Sequence, residues 1–351
     1  MTHVLAVRLD NDGDVLLAGP AIRALAHGAD RVTLLCGPRG RQAAELLPGV
    51  DELVVWRAPW IDPEPEPVDR TVIEALADRL AALQLDAAVV FGSFHQSPLP
   101  TALILRMAGV PFIAATSVDY PGSLLDVRHR IGDDVHEVER ALDLAAAAGF
   151  PPPPGDDGAL AVRRDECRLV LSMGASDDIR GDGGGYVVVH PGASVPARGW
   201  APERNAGLVQ ALVASGRRVV VTGARGETSL TAFVAGPPSD RVIDLGGRTS
   251  LAELADVLAA ARCVVVGNTG PAHLAAAVGT PVVSLFAPTV PAVRWRPWRV
   301  RHELLYADVP CAGCRARVCP VEGHPCLGAI TVEDVVGAVD RLAPAALEAV
   351  A

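Results

Sequence analysis

Not one of the 351 residues is lysine; all 31 basic side chains are arginine. Together with the abundance of alanine, that bias points to a GC-rich genome. Half of the chain is apolar, yet no apolar run approaches the roughly 20 residues of a membrane-spanning helix. No transmembrane segment is expected, and any membrane contact would be peripheral. The N-terminus enters a strand at once and shows no signal-peptide layout, so a cytoplasmic location is expected. Basic residues are outnumbered by 41 acidic ones, for a formal net charge of −10. That balance argues against nucleic acid as a partner and confines any phosphate site to a local positive spot. No Gly-x-Gly-x-x-Gly follows the first strand, which weakens a dehydrogenase reading. The seven cysteines, in a cytoplasmic chain, are thiols or metal ligands before they are disulfides.

What is present is a repeated pattern of short apolar runs, plainest in residues 263–286. Val264–Val266 is a β-branched run that stops at Gly267, and a small-residue helix opens near Gly270 and Pro271. A second apolar run, Val282–Phe286, follows. That is strand–turn–helix–strand, and strands apolar throughout suit a parallel sheet covered on both faces. Pro271 fits a first helical turn, where its missing N–H costs nothing. The amides of Thr269 and Gly270 are then expected to point out of the carboxyl edge of the sheet as an anion site. An ordinary βα turn is the plainer reading of this stretch taken alone.

The pattern runs through the whole chain. Strands are expected at Val4–Leu9, Val32–Cys36, Leu53–Trp56, Ala87–Phe91 and Phe112–Ala115. Helices are expected over about 14–26, kinked at Pro20, and over 39–47, 69–83 and 100–108. This alternation implies a parallel sheet with right-handed crossovers. A helical span, Val135–Gly149, runs into the stiff segment from Phe150 through four prolines to Gly158, which suits a domain boundary. After a Gly/Asp-rich loop, Ser176–Gly185, strands are expected at 186–190, 218–222, 242–245, 263–266 and 282–285. Helices fall near 202–215, 250–260 and 271–278, and a final amphipathic helix spans Thr331–Val350. The expected layout is α/β: one Rossmann-like domain at 1–165, a second at 166–330 and a C-terminal helix at 331–351. Two such sheets facing each other make a cleft, and ligands bind outside the carboxyl ends of their strands.

Several residues fall at those ends. Asp14 follows Gly13 at the mouth of the first helix, where a carboxylate gains about 0.3–1 kcal/mol from the helix dipole. The placement is expected to favour its ionised form, able to take a proton. Asp10 and Asp12 nearby make a D-x-D metal site the alternative. His190-Pro-Gly-Ala-Ser194 ends a strand with small residues that let a backbone approach a ligand. Arg198, next along, would alone read as a surface charge. Glu227 reads as a helix cap or a ribose-hydroxyl ligand, and His273 faces either the core or the phosphates. Each is ambiguous singly, but all lie at strand ends on one edge of one sheet.

Cys311-x2-Cys314-x4-Cys319-x6-Cys326, with His324 inside it, is a dense cluster. Zinc takes four thiolates in a tetrahedron, and the first pair has a metal-site spacing. Structural zinc, free thiols and disulfides all stay open. The segment between Pro310 and Leu327 has few large apolar groups, so a metal would supply a constraint that packing does not. Lying after the last expected strand, it is placed away from the phosphate edge. Cys36, Cys167 and Cys263 sit in apolar runs and read as small core residues.

These motifs together resemble glycosyltransferase family nine, the ADP-heptose heptosyltransferases of lipopolysaccharide core synthesis. The resemblance covers most of the chain. It rests on Val7–Val15 (VRLDNDGDV), His190–Ser194 with Arg198 and Trp200, Gly223–Glu227, Leu245–Leu254 (LGGRTSLAEL) and Gly267–His273 with the Leu-Ala that follows. It implies the GT-B architecture, with the donor bound mainly by the C-terminal half. It also implies metal-independent transfer with inversion, of heptose from ADP-heptose, needing no catalytic cofactor. Asp14 matches the family's proposed base, Arg198 the basic residue on the donor pyrophosphate, and Glu227 the acidic residue near the ribose. Ser194, Asn268, Thr269, Gly270 and His273 complete the implied donor site. Many relatives have Asp where this chain has Asn268. The acceptor could be lipopolysaccharide core, another glycan or a natural-product intermediate, and loops 93–98 and 116–130 show no recognisable chemistry. The rival readings are a nucleotide-sugar epimerase of the same architecture and a non-catalytic nucleotide-sugar-binding protein.

Overall fold

The apolar runs assemble into two sheets in a computed structural model that describes residues 1–164 and 185–344. The chain divides into two compact units, Met1–Arg163 and Arg164–Ala351. In the first, β1 (His3–Arg8), β2 (Arg31–Cys36), β3 (Glu52–Val55), β4 (Ala87–Val90), β5 (Phe112–Thr116) and β6 (Val127–His129) form one sheet. Their order is β3-β2-β1-β4-β5-β6, and every neighbouring pair is parallel. All of β1 is buried, as a strand covered on both faces must be. Helices Arg70–Ala82 and Leu99–Met107 carry Leu76, Leu80, Ile104 and Leu105 into one core with Leu5, Val7 and Ile113. The first of these starts where Asp69 accepts from the amides of Thr71 and Val72, an N-cap.

The second unit repeats the plan. Strands β7 (Val187–His190), β8 (Val219–Val221), β9 (Val242–Asp244), β10 (Cys263–Gly267), β11 (Val282–Leu285) and β12 (His302–Leu305) pair in the order β12-β11-β10-β7-β8-β9. Again all pairs are parallel. Each sheet changes direction of winding beside its own first strand, between β1 and β4 and between β7 and β10. At such a switch the adjoining loops part to opposite faces and leave a crevice at the carboxyl ends of the strands.

Several boundaries differ from the sequence reading for physical reasons. Strands β6 and β12 escape it because they are edge strands of mixed polarity, with no apolar run to mark them. The helix Asp12–Gly28 starts two residues early and continues through Pro20. The proline segment after Phe150 belongs to the first unit, where Arg23 holds Asp156 through two bonds of 2.8 Å. The final helix is Val332–Leu342, and residues beyond 344, like Cys167 and most of the Ser176–Gly185 loop, lie outside those described. Val335, Ala338, Val339 and Leu342 join Val187, Val189, Leu208 and Leu212 in one core, so this helix completes the second unit. Cys36 and Cys263 are buried, and burial pushes their thiols up to about 11 and about 12.

Candidate active site

At the carboxyl end of β1 an arginine is buried among acids. Arg8 is the last residue of that strand and is 3% exposed. Its Nε lies 2.9 Å from Asp10 Oδ2, its Nη2 3.0 Å from Asp14 Oδ1, and its Nη1 3.9 Å from Glu137 Oε2. Nη2 also donates to Ser93 Oγ at 2.9 Å, and the Gln96 amide donates to Asp10. Burial opposes the guanidinium charge, but Asp10, Asp14 and Glu137 together raise its pKa above the ordinary value. Burial likewise pushes the Asp10 carboxyl up, against the pull of Arg8. Of the three carboxylates Asp14 is the most open, its side chain 21% exposed against 8% for Asp10 and 3% for Glu137. It is therefore the most accessible of the three.

Arg8 is a residue the sequence reading quoted but gave no role. A signal was there: an arginine closing a strand buried on both faces must find counter-charges. Its partners include Ser93 from the loop after β4, where Gln96 in turn holds Asp10, and Glu137 at the start of the helix Glu137–Ala147. The loop 93–98 thus carries part of the site, and residues 127–129 of the second loop form β6. The D-x-D alternative meets a different geometry. Asp10 and Asp14 turn onto Arg8, whereas Asp12 accepts from the Ala43 amide at 3.0 Å.

In the second unit the carboxyl ends of β7, β8 and β10 gather the other expected residues. His190 closes β7, buried, with Nδ1 2.9 Å from Thr222 Oγ1, and burial pushes its imidazole down to about 4. Glu227 accepts from the Ala224 amide at 2.8 Å, and its carboxylate fills the space that a Cβ on Gly192 would take. Glycine at 192 is what lets this carboxylate cross from the β8 end to the β7 end. Gly267 plays the same part for Arg198, since a Cβ there would stand 2.9 Å from the Arg198 carbonyl oxygen. Arg198 ends the short turn Pro196–Arg198 and is half-buried, while Ser194 before it is exposed.

The helix Gly270–Ala277 opens beside Arg198. Thr269 is its N-cap, but the hydroxyl does not cap: Oγ1 is buried and has no hydrogen-bond partner. One expectation needs correcting, because the Thr269 amide is not free; it donates to Gly267 O at 2.8 Å. The Gly270 amide, in the first turn, has no acceptor within the helix. Asn268 is buried with both polar ends on one residue, Nδ2 donating to Ala287 O and Oδ1 accepting from Ala287 N. An amide satisfies both; an ionised carboxylate would set an oxygen against the Ala287 carbonyl. His273 is buried one turn into the helix.

Folding stability should carry a signature of His190. Its imidazole is pushed down to about 4 from 6.5, so the unfolded chain takes up its proton first as pH falls. The contribution is complete above about pH 6.5 and is lost towards pH 4, amounting to about 3 kcal/mol. Urea unfolding at pH 7.5 and 4.5 should show His190→Gln with a smaller acid loss than the parent chain. Equal losses would deny the group this role.

The four late cysteines line one small cavity of about 30 Å³ together with Ala197, Pro288, Thr289 and His324. All four are free thiols. Among the described residues no three His, Cys, Asp or Glu side chains are already gathered closely enough to hold a metal ion. The expected distance from the phosphate edge does not hold, since Ala197 in the cavity wall adjoins Arg198.

The model of glycosyltransferase family 9 (heptosyltransferase) matches residues 73–324. The chain belongs to glycosyltransferase family 9. Lipopolysaccharide heptosyltransferase 3 of Escherichia coli is 31% identical over 174 residues, 48% of this chain and 49% of that protein. The match thus spans about half the length of that curated relative. Among solved structures, the glycosyl transferase family 9 protein of Veillonella parvula aligns over 97% of both chains, with a TM-score of 0.76 and 17% identity. The ADP-heptose lipopolysaccharide heptosyltransferase II of E. coli gives 0.72 at 20% identity, over 97% of this chain and 98% of that one. At such identities the likeness is one of fold, the GT-B pair of Rossmann-like units. The matched stretch of this family 9 chain holds the β7–β10 site and begins after Arg8 and Asp14.

Proposed function

We propose that the chain transfers a heptose from ADP-heptose to a hydroxyl of a glycan or small-molecule acceptor, with inversion and with no metal in the chemical step. The observation that carries the donor side is the buried, unpartnered Thr269 hydroxyl at a helix N-terminus beside Arg198. A helix N-terminus favours an anion, and a hydroxyl with no partner inside the protein can donate to a phosphate oxygen. Arg198 and the Gly270 amide supply the remaining positive edge for the leaving ADP. Glu227 meets the ribose hydroxyls from across the strand ends, with Ser194 and His273 bordering the phosphates, and Asn268 holds the turn in shape.

Asp14 is the base. Its carboxylate takes the proton of the acceptor hydroxyl as the oxygen attacks the anomeric carbon, and the carbon–pyrophosphate bond breaks on the opposite face. Negative charge grows on the leaving diphosphate, where fixed donors in a site closed to water are worth most. The acceptor is read as a lipopolysaccharide core, another glycan or a natural-product intermediate.

Arg198→Ala tests the donor assignment. A charge-assisted bond to phosphate contributes about 1.5–3 kcal/mol, so ADP affinity measured by calorimetry should fall about 10- to 100-fold. Added Mg²⁺ should neither raise parental activity nor rescue the variant. ADP binding at parental strength in the variant would take Arg198 out of the donor site.

A further inference from the structure

The cysteine-rich stretch is tied to the turn that carries Arg198. The Ala197 amide donates to Arg317 O at 2.9 Å, and His324 Nε2 bonds to Ala197 O at 3.0 Å. On its other side Gly313 N donates to Pro288 O at 2.7 Å and Arg315 N to Thr289 O at 3.0 Å. No apolar core lies under this path. No residue from Ala312 to Gly323 is buried, and Val318 and Val321 face solvent. Arg315 and His324 take left-handed φ angles of 55° and 47°, a strain that side chains other than glycine accept only where their surroundings impose it. A looped path with no apolar core needs a cross-link between side chains, and the thiols are placed to make one.

We propose that Cys311, Cys314, Cys319 and Cys326 close around one thiophilic divalent cation, and that this clip clamps the Pro196–Arg198 turn in place. The four sulfur side chains already surround a single small cavity, and the turn is part of its wall. Cys314 is exposed and Cys319 half-exposed, so both can turn inward as the ion binds, releasing their protons. A tetrathiolate centre with a divalent ion carries two negative charges, and Arg315 and Arg317 lie in the same loop to offset them. The cation is thus a positioning group, acting through the Ala197 backbone rather than on substrate. That the clamped Arg198 meets a diphosphate rests on the donor reading above; the clip itself does not.

The test uses the full chain purified in reductant without chelator. Elemental analysis should find close to one zinc or iron per chain, and which of the two it is identifies the ion. Stripping the metal should speed amide hydrogen exchange at Ala197, Gly313 and Arg315 by about tenfold or more, and adding it back should restore protection. Cys314→Ser changes an exposed position and should leave the fold intact while surrendering metal to a chelating dye about tenfold faster. Only trace metal after incubation with Zn²⁺ or Fe²⁺, or recovery of the four thiols as two disulfides, would overturn the site. Unchanged exchange at Ala197 on stripping would overturn the clamp. None of these readouts needs a nucleotide, so a failure of the donor reading leaves them standing.

Discussion

Asp14→Asn should lower kcat about 10²- to 10⁴-fold, the usual worth of a positioned base. Asparagine keeps an oxygen for the Arg8 Nη2 bond that Asp14 now accepts at 3.0 Å, so the loop geometry survives while the proton acceptor is lost. The residues proposed to hold ADP all belong to the other unit. ADP affinity should therefore stay within about twofold of the parent, a change well under 1 kcal/mol. Steady-state turnover and ADP calorimetry on the same preparation separate the two effects. Near-parental turnover would remove Asp14 from the mechanism.

The second large effect concerns stability. Arg8→Ala should destabilise the chain by about 3–5 kcal/mol, the cost of breaking a buried ion pair from one side. Asp10 would be left buried without the guanidinium that now lies 2.9 Å from it, while Glu137 would keep Arg140 at 3.3 Å. Lysine is no substitute, since one ammonium cannot reach three carboxylates as a planar fork does. The pH dependence identifies the cause. Burial already holds the Asp10 carboxyl up against the pull of Arg8, and losing that pull raises it further. The penalty is then full at neutral pH and relieved as Asp10 protonates on acidification. Urea midpoints of variant and parent should converge from pH 7.5 to 5. A gap that stays constant would mean lost packing rather than stranded charge.

The alternating apolar runs made most of both sheets legible from sequence, because strands buried on both faces admit only such residues. Strands β6 and β12 stayed hidden for the complementary reason, as edges need no apolar run. The strand-end positions of Asp14, Arg198, Glu227 and Thr269 were legible as well, since each follows an apolar run closely. Which polar atoms spend themselves locally was not. Thr269 N turns back to Gly267 O, and Asn268 closes on Ala287, nineteen residues on. Nor could spacing show that Ser93 and Glu137 meet Arg8, up to 129 residues away, or that Gln96 meets Asp10, because those meetings are made by the sheet order. The cysteines were evident as a motif, but their nearness to Arg198 depends on ties through Arg317 and His324.

The central claim is acceptor-dependent transfer from a nucleotide sugar, with Asp14 as its base. The direct measurement is ADP release from ADP-heptose, followed with and without a lipid or glycan fraction that carries acceptor hydroxyls. ADP should appear only with acceptor, in step with a heptose-bearing product of inverted anomeric configuration, and Asp14→Asn should lose both. Free or epimerised sugar formed without acceptor, or binding of ADP-heptose with no turnover on any acceptor fraction, would contradict it.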